Sequence, residues 1–367
     1  MLKKQSLFQI SKRDALPLPK ALAIRGGILL LALIFCGLIT TILTGQNPIN
    51  VYGTILSGAF GTSRRIGVTA RNVAVLLGLS LAVTPAFKMR FWNIGAEGQL
   101  LMGAFASAAL MIYCEKLPNG ILLPLIMLAS CLAGLIWGLI PAYFKAKYNT
   151  NETLFTLMMN YIAAQLISFS IVFWENPAGS NSVGIINPMS SKGWFPMLFG
   201  QRYGLNLLLV ILVTVFVSFY LKYSKHGYEI NVVGESWNTA RYAGINVKKV
   251  IIRTMALSGA ICGLAGCLVV SGASHTISTS LGEGRGFTAI IVAWMSNFNT
   301  LAMVAISLLL CTMGNGAIQI ASQFGLNENV SDILTGIIIF FLIGSEFFIR
   351  YRLNFNTEKL ADKADKE

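Results

Sequence analysis

The chain has 367 residues, of which 55% are hydrophobic and only 12% charged, and its mean hydropathy is +0.67. Soluble proteins carry about a quarter charged residues, so a water-soluble enzyme of two ordinary domains is excluded and the fold class is all-α, integral to a membrane. The net charge of +13, from 28 Lys+Arg against 15 Asp+Glu, would suggest nucleic acid in a soluble protein; in a membrane protein it reports basic loops gathered on one side.

A spanning helix needs about 20 mostly apolar residues, because the hydrocarbon core is about 30 Å thick and a helix rises about 1.5 Å per residue. Residues 1–25 are a basic amino-terminal segment with Lys3, Lys4, Lys12, Arg13, Lys20 and Arg25. The first apolar run, 26–44, is long for a signal peptide and no small-residue cleavage site closes it, so it reads as a retained helix. Residues 50–62 are too short and glycine-rich to cross and read as a small helix at the outer surface. A weaker run at 68–87 is interrupted by Arg71. Strong runs follow at 95–113, 121–143, 154–174, 204–221, 252–272, 301–320 and 333–349, with an undersized apolar run at 286–295. Counting both weaker runs gives about ten spans in a transmembrane domain over 26–349, an even count that lets the basic loops agree in side.

With the amino terminus in the cytoplasm, 21 of the 28 basic residues fall in inside segments, six of them in the loop from Lys222 to Arg253. That bias orients the chain, puts both termini in the cytoplasm and removes the nucleic-acid reading. Within the cytoplasmic tail, 350–367, the charged stretch after Arg352 reads as a frayed end. Glycines are enriched inside the spans: Gly134 and Gly138 on one, Gly259, Gly263 and Gly266 with Ser258 and Ala265 on another. These read as packing faces, since helices in lipid associate through close contact of small residues. The segment 175–203, with Pro177, Pro188 and Pro196, reads as an outer loop of turns. The six cysteines lie in or beside apolar runs without zinc-site spacing and read as structural. Two histidines cannot assemble a metal site from imidazoles, so no metal is expected.

Four segments carry chemistry. In FWNIGAEGQLLMG, 91–103, Asn93, Glu97 and Gln99 stand among three glycines at the mouth of a span. A carboxylate there needs water, a partner or protein around it, and glycines permit a broken helix whose backbone lines a cavity. Either Glu97 touches a solute pathway or it stabilises a helix amino terminus; residue types leave both open. In NTNETLFTLMMNY, 149–161, Asn151 or Thr150 caps a helix with Glu152 in its first turn. Asn160 and Tyr161, two turns in, bond either a neighbouring helix or a solute. The basic loop at about 222–251 holds a short helix over 236–243 that ends at Gly244, a residue suited to the left-handed cap. Trp237, Arg241 and Tyr242 make it a docking knob for a cytoplasmic partner or an interfacial helix on acidic headgroups. Finally SHTISTSLGEGRGF, before the undersized run, has His275, Glu283, Arg285 and three glycines; a glycine-broken half-helix is a transporter device for exposing backbone to a solute. No Walker A loop, GxSxG elbow or HExxH motif occurs, and no catalytic residue is assigned.

NIGAEGQ at 93–99, TLMMNYIA at 156–163, NTARYAGINVKK at 238–249 and GRGFTAIIVA at 284–293 together resemble the permease subunit of a bacterial ATP-binding-cassette importer. The branch is that of nucleoside and simple-sugar permeases, related to ribose and branched-chain amino acid permeases, and most like the larger permease of a guanosine or general nucleoside importer. The resemblance covers about 52–348. It implies that the chain binds no cofactor and hydrolyses no ATP itself, and that a cytoplasmic ATPase uses the ATP. It also implies a second related permease in a heterodimer, an extracytoplasmic solute-binding lipoprotein, and residence in the bacterial plasma membrane. By the same resemblance Glu235, Asn238, Ala240, Ala243 and Gly244 belong to the loop that couples to the ATPase. Asn93, Glu97, Gln99, Asn160 and Phe287 lie near the substrate pathway. The stretch MSNFNT, 295–300, lacks the Gly and Pro usual in the family after the short span, which puts the local turn in question. A simple-sugar importer is the alternative. An ion-coupled secondary transporter would place acidic residues mid-span, and this chain has few.

Overall fold

A computed structural model describes residues 8–13, 18–45, 47–198, 200–325 and 329–355. Its elements, in chain order, are β1 (Phe8–Lys12), α1 (Leu18–Thr44), α2 (Pro48–Phe60), α3 (Ser63–Lys88), α4 (Ala96–Tyr113), α5 (Asn119–Tyr148), α6 (Glu152–Trp174), α7 (Gly204–Tyr223), α8 (Lys225–Glu235), α9 (Trp237–Tyr242), α10 (Val247–Val269, continued by a π turn at Val270–Ser274), α11 (Arg285–Met295), α12 (Thr300–Gln323), α13 (Asn329–Arg350) and β2 (Tyr351–Phe355). The chain divides into two compact units, Met1–Gly58 with Thr312–Glu367, and Ala59–Cys311.

Among the described residues, eight helices are long and apolar enough to cross a membrane: α1, α3 to α7, α10 with its π turn, and α12. The run at 68–87, weak by sequence because of Arg71, belongs to the 26-residue α3. The run at 333–349 lies within the 22-residue α13. The undersized run is α11, 11 residues long and therefore about 16 Å, too short to cross. The expected ten spans are thus corrected: one of them is half a helix.

In the first unit α1 packs on α13. Arg25 donates to Glu346 Oε2 at 3.0 Å and Arg350 to Glu346 Oε1 at 2.8 Å, so one carboxylate ties the two helices. The Tyr52 hydroxyl on α2 donates to the Leu33 carbonyl of α1. The chain continues beyond Arg350 as β2 and pairs antiparallel with β1, Phe8 opposite Phe355 and Lys12 opposite Tyr351, so fraying expected after Arg352 is corrected for residues 353–355. The physical reason is local: Arg13 N donates to Arg350 O at 2.8 Å, extending the ladder to the helix end. Lys3, Lys4, Lys359, Lys363 and Lys366, and the tail after 355, lie outside the described residues.

In the second unit α10 is the central helix, packed against α3, α4 and α5; 78% of its spanning window is buried, against 17% for α7. Its small residues explain how. A Cβ on Gly263 would strike the Ser130 carbonyl of α5, one on Gly134 the Gly259 carbonyl of α10, and one on Gly266 the Leu100 carbonyl of α4. Backbones therefore touch where side chains are absent, the contact that replaces hydrophobic drive in lipid. Ser107 and Ser130 hydroxyls, 2.7 Å apart, join α4 to α5. At one end of this unit Ala86, Met89, Phe91, Ala142, Ile230, Val233, Val250 and Met255 form an apolar cluster that seats α8, α9 and the start of α10. Lys88, Lys145, Lys147, Arg241 and Lys248 surround that basic end. At the opposite end, segment 175–203 folds over the ends of α4 and α10, with Asn187 Nδ2 donating to Met111 O at 2.7 Å and Phe195 N to Ser271 O at 2.9 Å.

Candidate functional site

The turn from α3 to α4 is built on amides. Arg90 takes a left-handed conformation, φ 60°, and the next residues run back into the bundle. Asn93 is fully buried; its Oδ1 accepts from Gly95 N at 3.1 Å and Gln99 Nε2 at 3.2 Å, while its Nδ2 donates to Gln99 Oε1 at 3.3 Å and to Ser258 Oγ on α10 at 3.2 Å. From α6, Asn160 Oδ1 accepts Gly98 N at 2.8 Å and its Nδ2 donates to Ile94 O at 2.9 Å. Thr156 Oγ1 accepts Ile94 N at 3.2 Å. The first amide groups of a helix have no partner within it, and here side chains from α6 and the turn supply them. Gly98 is required: a Cβ there would stand 2.9 Å from Asn160 Oδ1. The structure brings Asn93, Gln99 and Asn160 into one satisfied cluster, and of the two readings for Asn160 it shows bonding to a neighbouring segment.

Glu97, in the first turn of α4, is engaged elsewhere. Its Oε1 accepts Gly284 N at 3.1 Å and its Oε2 accepts Gly286 N at 2.6 Å, so it closes the amino terminus of α11. Two helix amino termini converge on one negative charge, where their partial positive charges favour it. Gly282 and Gly286 leave the room, since a Cβ on either would meet the carboxylate. This explains the glycine-rich GEGRG run: Gly284, at φ 69°, turns the chain into the helix, and its neighbours make space for Glu97.

Arg285, at the start of α11, reaches Asn72 of α3 at 3.5 Å and Glu283 at 2.5 Å. Near the other end of α11, Trp294 stacks on Trp92, centroids 5.5 Å apart, and meets Phe87 edge-on. Since Asn72 precedes Phe87, α11 runs parallel to α3 and begins part-way along it: a half-helix at membrane depth. Gly286, Ala289, Val292 and Ala293 are buried, while Phe287 is 46% exposed on the same helical stripe as Trp294, seven residues on. Phe287 takes no part in the hydrogen bonds of the amide cluster. Two residues that sequence reasoning did not place are Arg71, which donates to Asn72 Oδ1 from Nε at 3.2 Å and Nη2 at 2.9 Å and lies 5.5 Å over the Tyr203 ring, and Asn72 itself. The available signal was an arginine inside an apolar run. The MSNFNT turn forms without Gly or Pro: Asn297 and Phe298 take φ of 49° and 60°, and Phe298 packs on Trp294.

At the basic end the expected short helix is α9, capped by Ser236, whose hydroxyl accepts Thr239 N at 3.3 Å. Ala240 is its buried anchor in the apolar cluster. Glu235, Asn238, Ala243 and Gly244 are exposed, as is Tyr242, at 93%. Gly244 has φ 75° with no atom near its absent Cβ. α9 is therefore a short, rigidly seated projection. Beside it His226 of α8 lies between the Tyr220 hydroxyl at 2.6 Å and the Thr254 hydroxyl at 3.3 Å, and burial holds its pKa below the ordinary histidine value. At the opposite end the His275 ring stacks on Trp194 at 3.8 Å, and burial, with Arg202, pushes its pKa down to about 4. Among the described residues no group of three His, Cys, Asp or Glu is placed to hold a metal.

A bundle of membrane-length helices, with a half-helix lying along one of them and a short projecting helix at the basic end, defines a multi-pass membrane protein. The chain belongs to the family described as branched-chain amino acid transport system, permease component, whose model matches residues 65–343. It is 30% identical over 318 residues to the guanosine ABC transporter permease protein NupP of Bacillus subtilis, covering 86% of this chain and 91% of that one. It is 29% identical over 349 residues to a glucose ABC transporter permease protein of Haloferax volcanii, covering 91% and 90%. To the nucleoside ABC transporter permease protein NupB of Lactococcus lactis it is 27% identical over 336 residues, covering 88% and 92%.

Proposed function

We propose that this chain is the permease subunit of an ATP-driven importer and forms the translocation pathway for a nucleoside. The observation that carries the reading is the 30% identity to a guanosine permease along 91% of that protein's length. The half-helix supports it: α11 exposes Phe287, and Trp92, stacked on Trp294 near the other end of α11, is 45% exposed; exposed aromatic rings are the kind of surface on which bases stack. In this reading Phe287 borders the pathway, Glu97 is the anchor that positions α11, and Asn93, Gln99 and Asn160 brace the wall from behind.

ATP is hydrolysed by a separate cytoplasmic ATPase, and this chain binds no cofactor. α9, with Glu235, Asn238, Ala240, Ala243 and Gly244, seats on that ATPase, so the basic end faces the cytoplasm; the bias of basic residues along the sequence puts both termini there as well. A second related permease completes the pathway and a solute-binding lipoprotein delivers solute at the opposite face. Force enters at α9 and passes through Ala240 to the ends of α3, α5 and α10, along the close-packed glycines from α10 to α4, and through Glu97 to α11. Each link in this route is a direct contact.

A simple-sugar importer is the second reading, favoured by the 29% identity to a glucose permease over 91% of this chain. Uptake of radiolabelled guanosine, uridine, ribose and glucose by membrane vesicles carrying the complete transporter tests the two. Saturable guanosine or uridine uptake that excess ribose and glucose do not inhibit is expected. Uptake confined to ribose or glucose refutes the nucleoside assignment.

A further inference from the structure

The start of α11 carries more charge than its anchoring uses. Glu97 already fills the amides of Gly284 and Gly286, yet Glu283 and Arg285 form an ion pair of their own at 2.5 Å. Arg285 also reaches Asn72 Oδ1 at 3.5 Å, and Arg71, lying over the Tyr203 ring, donates to the same oxygen. No described residue donates to Glu283 Oε1, and the side-chain bonds of Arg285 to described residues use Nη2 alone. One carboxylate oxygen and the Nε and Nη1 donors therefore remain open within the pair. The level of the pair says what it faces. α3 has 26 residues and is about 39 Å long, about 9 Å longer than the hydrocarbon core. Asn72 stands about 13.5 Å along it from Ser63. Even with all the excess length on that side, Asn72 lies inside the core depth, and Arg285 meets it there. A carboxylate exposed at that level is costly against hydrocarbon, and non-helical backbone, such as residues 275–284, is tolerated there only against protein or water. Thr279, Ser280, Glu283 and Gly284 are exposed in that segment, a polar strip suited to a water-filled pathway.

We propose that the Glu283–Arg285 pair, backed by Asn72, is a subsite for the vicinal hydroxyls of a sugar ring on the solute pathway. This rests on the reading of the chain as an importer permease, and it holds for a nucleoside and a simple sugar alike, since both carry those hydroxyls. A hydroxyl both donates and accepts. One hydroxyl of the ring donates to Glu283 Oε1 and its neighbour accepts from the open N–H groups of Arg285, each bond assisted by charge. The formal charges of Arg71, Arg285, Glu283 and Glu97 cancel, so the site offers donors and acceptors without attracting an anion or a cation. A site that bonds hydroxyls discriminates against an analogue lacking them, because its own polar groups are then left unpaired. Water reaches the exposed Glu283, so the contact is weak and reversible, as passage requires.

The test measures ATP-driven uptake by proteoliposomes holding the complete transporter, with the solute-binding lipoprotein supplied outside. Guanosine is compared with 2′,3′-dideoxyguanosine, which lacks the two hydroxyls; ribose against 2-deoxyribose is the parallel pair if a simple sugar is the solute. Each solute is compared between wild type and Glu283→Gln, so selection by the lipoprotein cancels. The variant should take up guanosine about fivefold more slowly, with dideoxyguanosine uptake, melting temperature and recovery of the second permease unchanged. Glu283→Asp, which keeps the charge, should regain part of the guanosine rate. An equal loss for both solutes overturns the proposal and makes the pair a support for α11. Loss of the second permease from the complex overturns it too, by making the pair a contact between subunits. Guanosine uptake by Glu283→Gln at the wild-type rate also overturns it. If the wild type takes up no nucleoside and no sugar, the importer reading itself fails, and the subsite with it.

Discussion

Replacing Glu97 by alanine removes a side chain that joins the start of α4 to the start of α11. Two hydrogen bonds are lost, to Gly284 N at 3.1 Å and Gly286 N at 2.6 Å. Bonds to an ionised acceptor contribute about 1.5–3 kcal/mol each, but Gly284 is exposed whereas Gly286 is buried. Water can satisfy the first amide and not the second, so the alanine variant should lose about 3–4 kcal/mol, close to the lower limit of the two-bond sum. Glutamine keeps one acceptor oxygen and loses the charge, and should lose about 1–2 kcal/mol. At about 2–4 °C per kcal/mol for a unit of this size, the alanine variant should melt about 6–16 °C lower. Cys262 and Cys267 are fully buried, so a thiol-reactive fluorophore reports unfolding in detergent as they become exposed. Glu283→Gln is the control, since that side chain is 64% exposed and its loss should shift stability by no more than about 0.5 kcal/mol. If Glu97→Ala melts with the wild type, or Glu283→Gln costs as much, Glu97 does not anchor α11.

Gly263→Ala places a methyl against the Ser130 carbonyl and Gly134 and should destabilise the bundle by about 1–3 kcal/mol through overpacking, whereas Gly26→Ala, with nothing nearby, should be neutral or slightly stabilising; paired thermal melts decide. Gly244→Pro cannot adopt φ 75° and lacks the amide that donates to Arg241 O at 3.0 Å, so ATPase capture in a pull-down should fall at least about tenfold, while Gly244→Asn, which tolerates that conformation, should retain it. His275 titrates at about 4 in the folded chain and near 6.5 when unfolded. The unfolded chain therefore binds the proton first as pH falls, so stability present above about 6.5 is lost progressively toward pH 4. Melting temperatures of the wild type should fall across that window more steeply than those of His275→Gln.

The parts of the fold legible in the sequence are those set by local pattern. Apolar runs longer than a bilayer is thick fixed the crossings, Asn151 capped α6 where expected, and the small helix ending at Gly244 formed as its residues implied. The glycine faces of α5 and α10 were also legible, because lipid leaves few other ways to pack helices. What sequence could not resolve is pairing across distance. Glu97 and Gly286 are 189 positions apart, and nothing at either position identifies the other. The same holds for Arg71 and Arg285, which both reach Asn72, while Arg71 also lies over the Tyr203 ring. Residue types left solute contact and bonding within the protein open for the amides, and the resemblance put Asn93, Gln99 and Asn160 near the pathway; the structure satisfies their hydrogen bonds within the protein. The turn at Asn297 and Phe298 was obscured because a left-handed Phe is rare and is held here by packing on Trp294.

The most direct test is uptake by proteoliposomes containing both permeases and the ATPase, with the solute-binding lipoprotein outside. Radiolabelled guanosine should accumulate when ATP is trapped inside and not when it is replaced by a non-hydrolysable analogue, whatever proton or sodium gradient is imposed. Accumulation driven by an ion gradient without ATP would contradict the assignment of this chain as an ATP-driven permease.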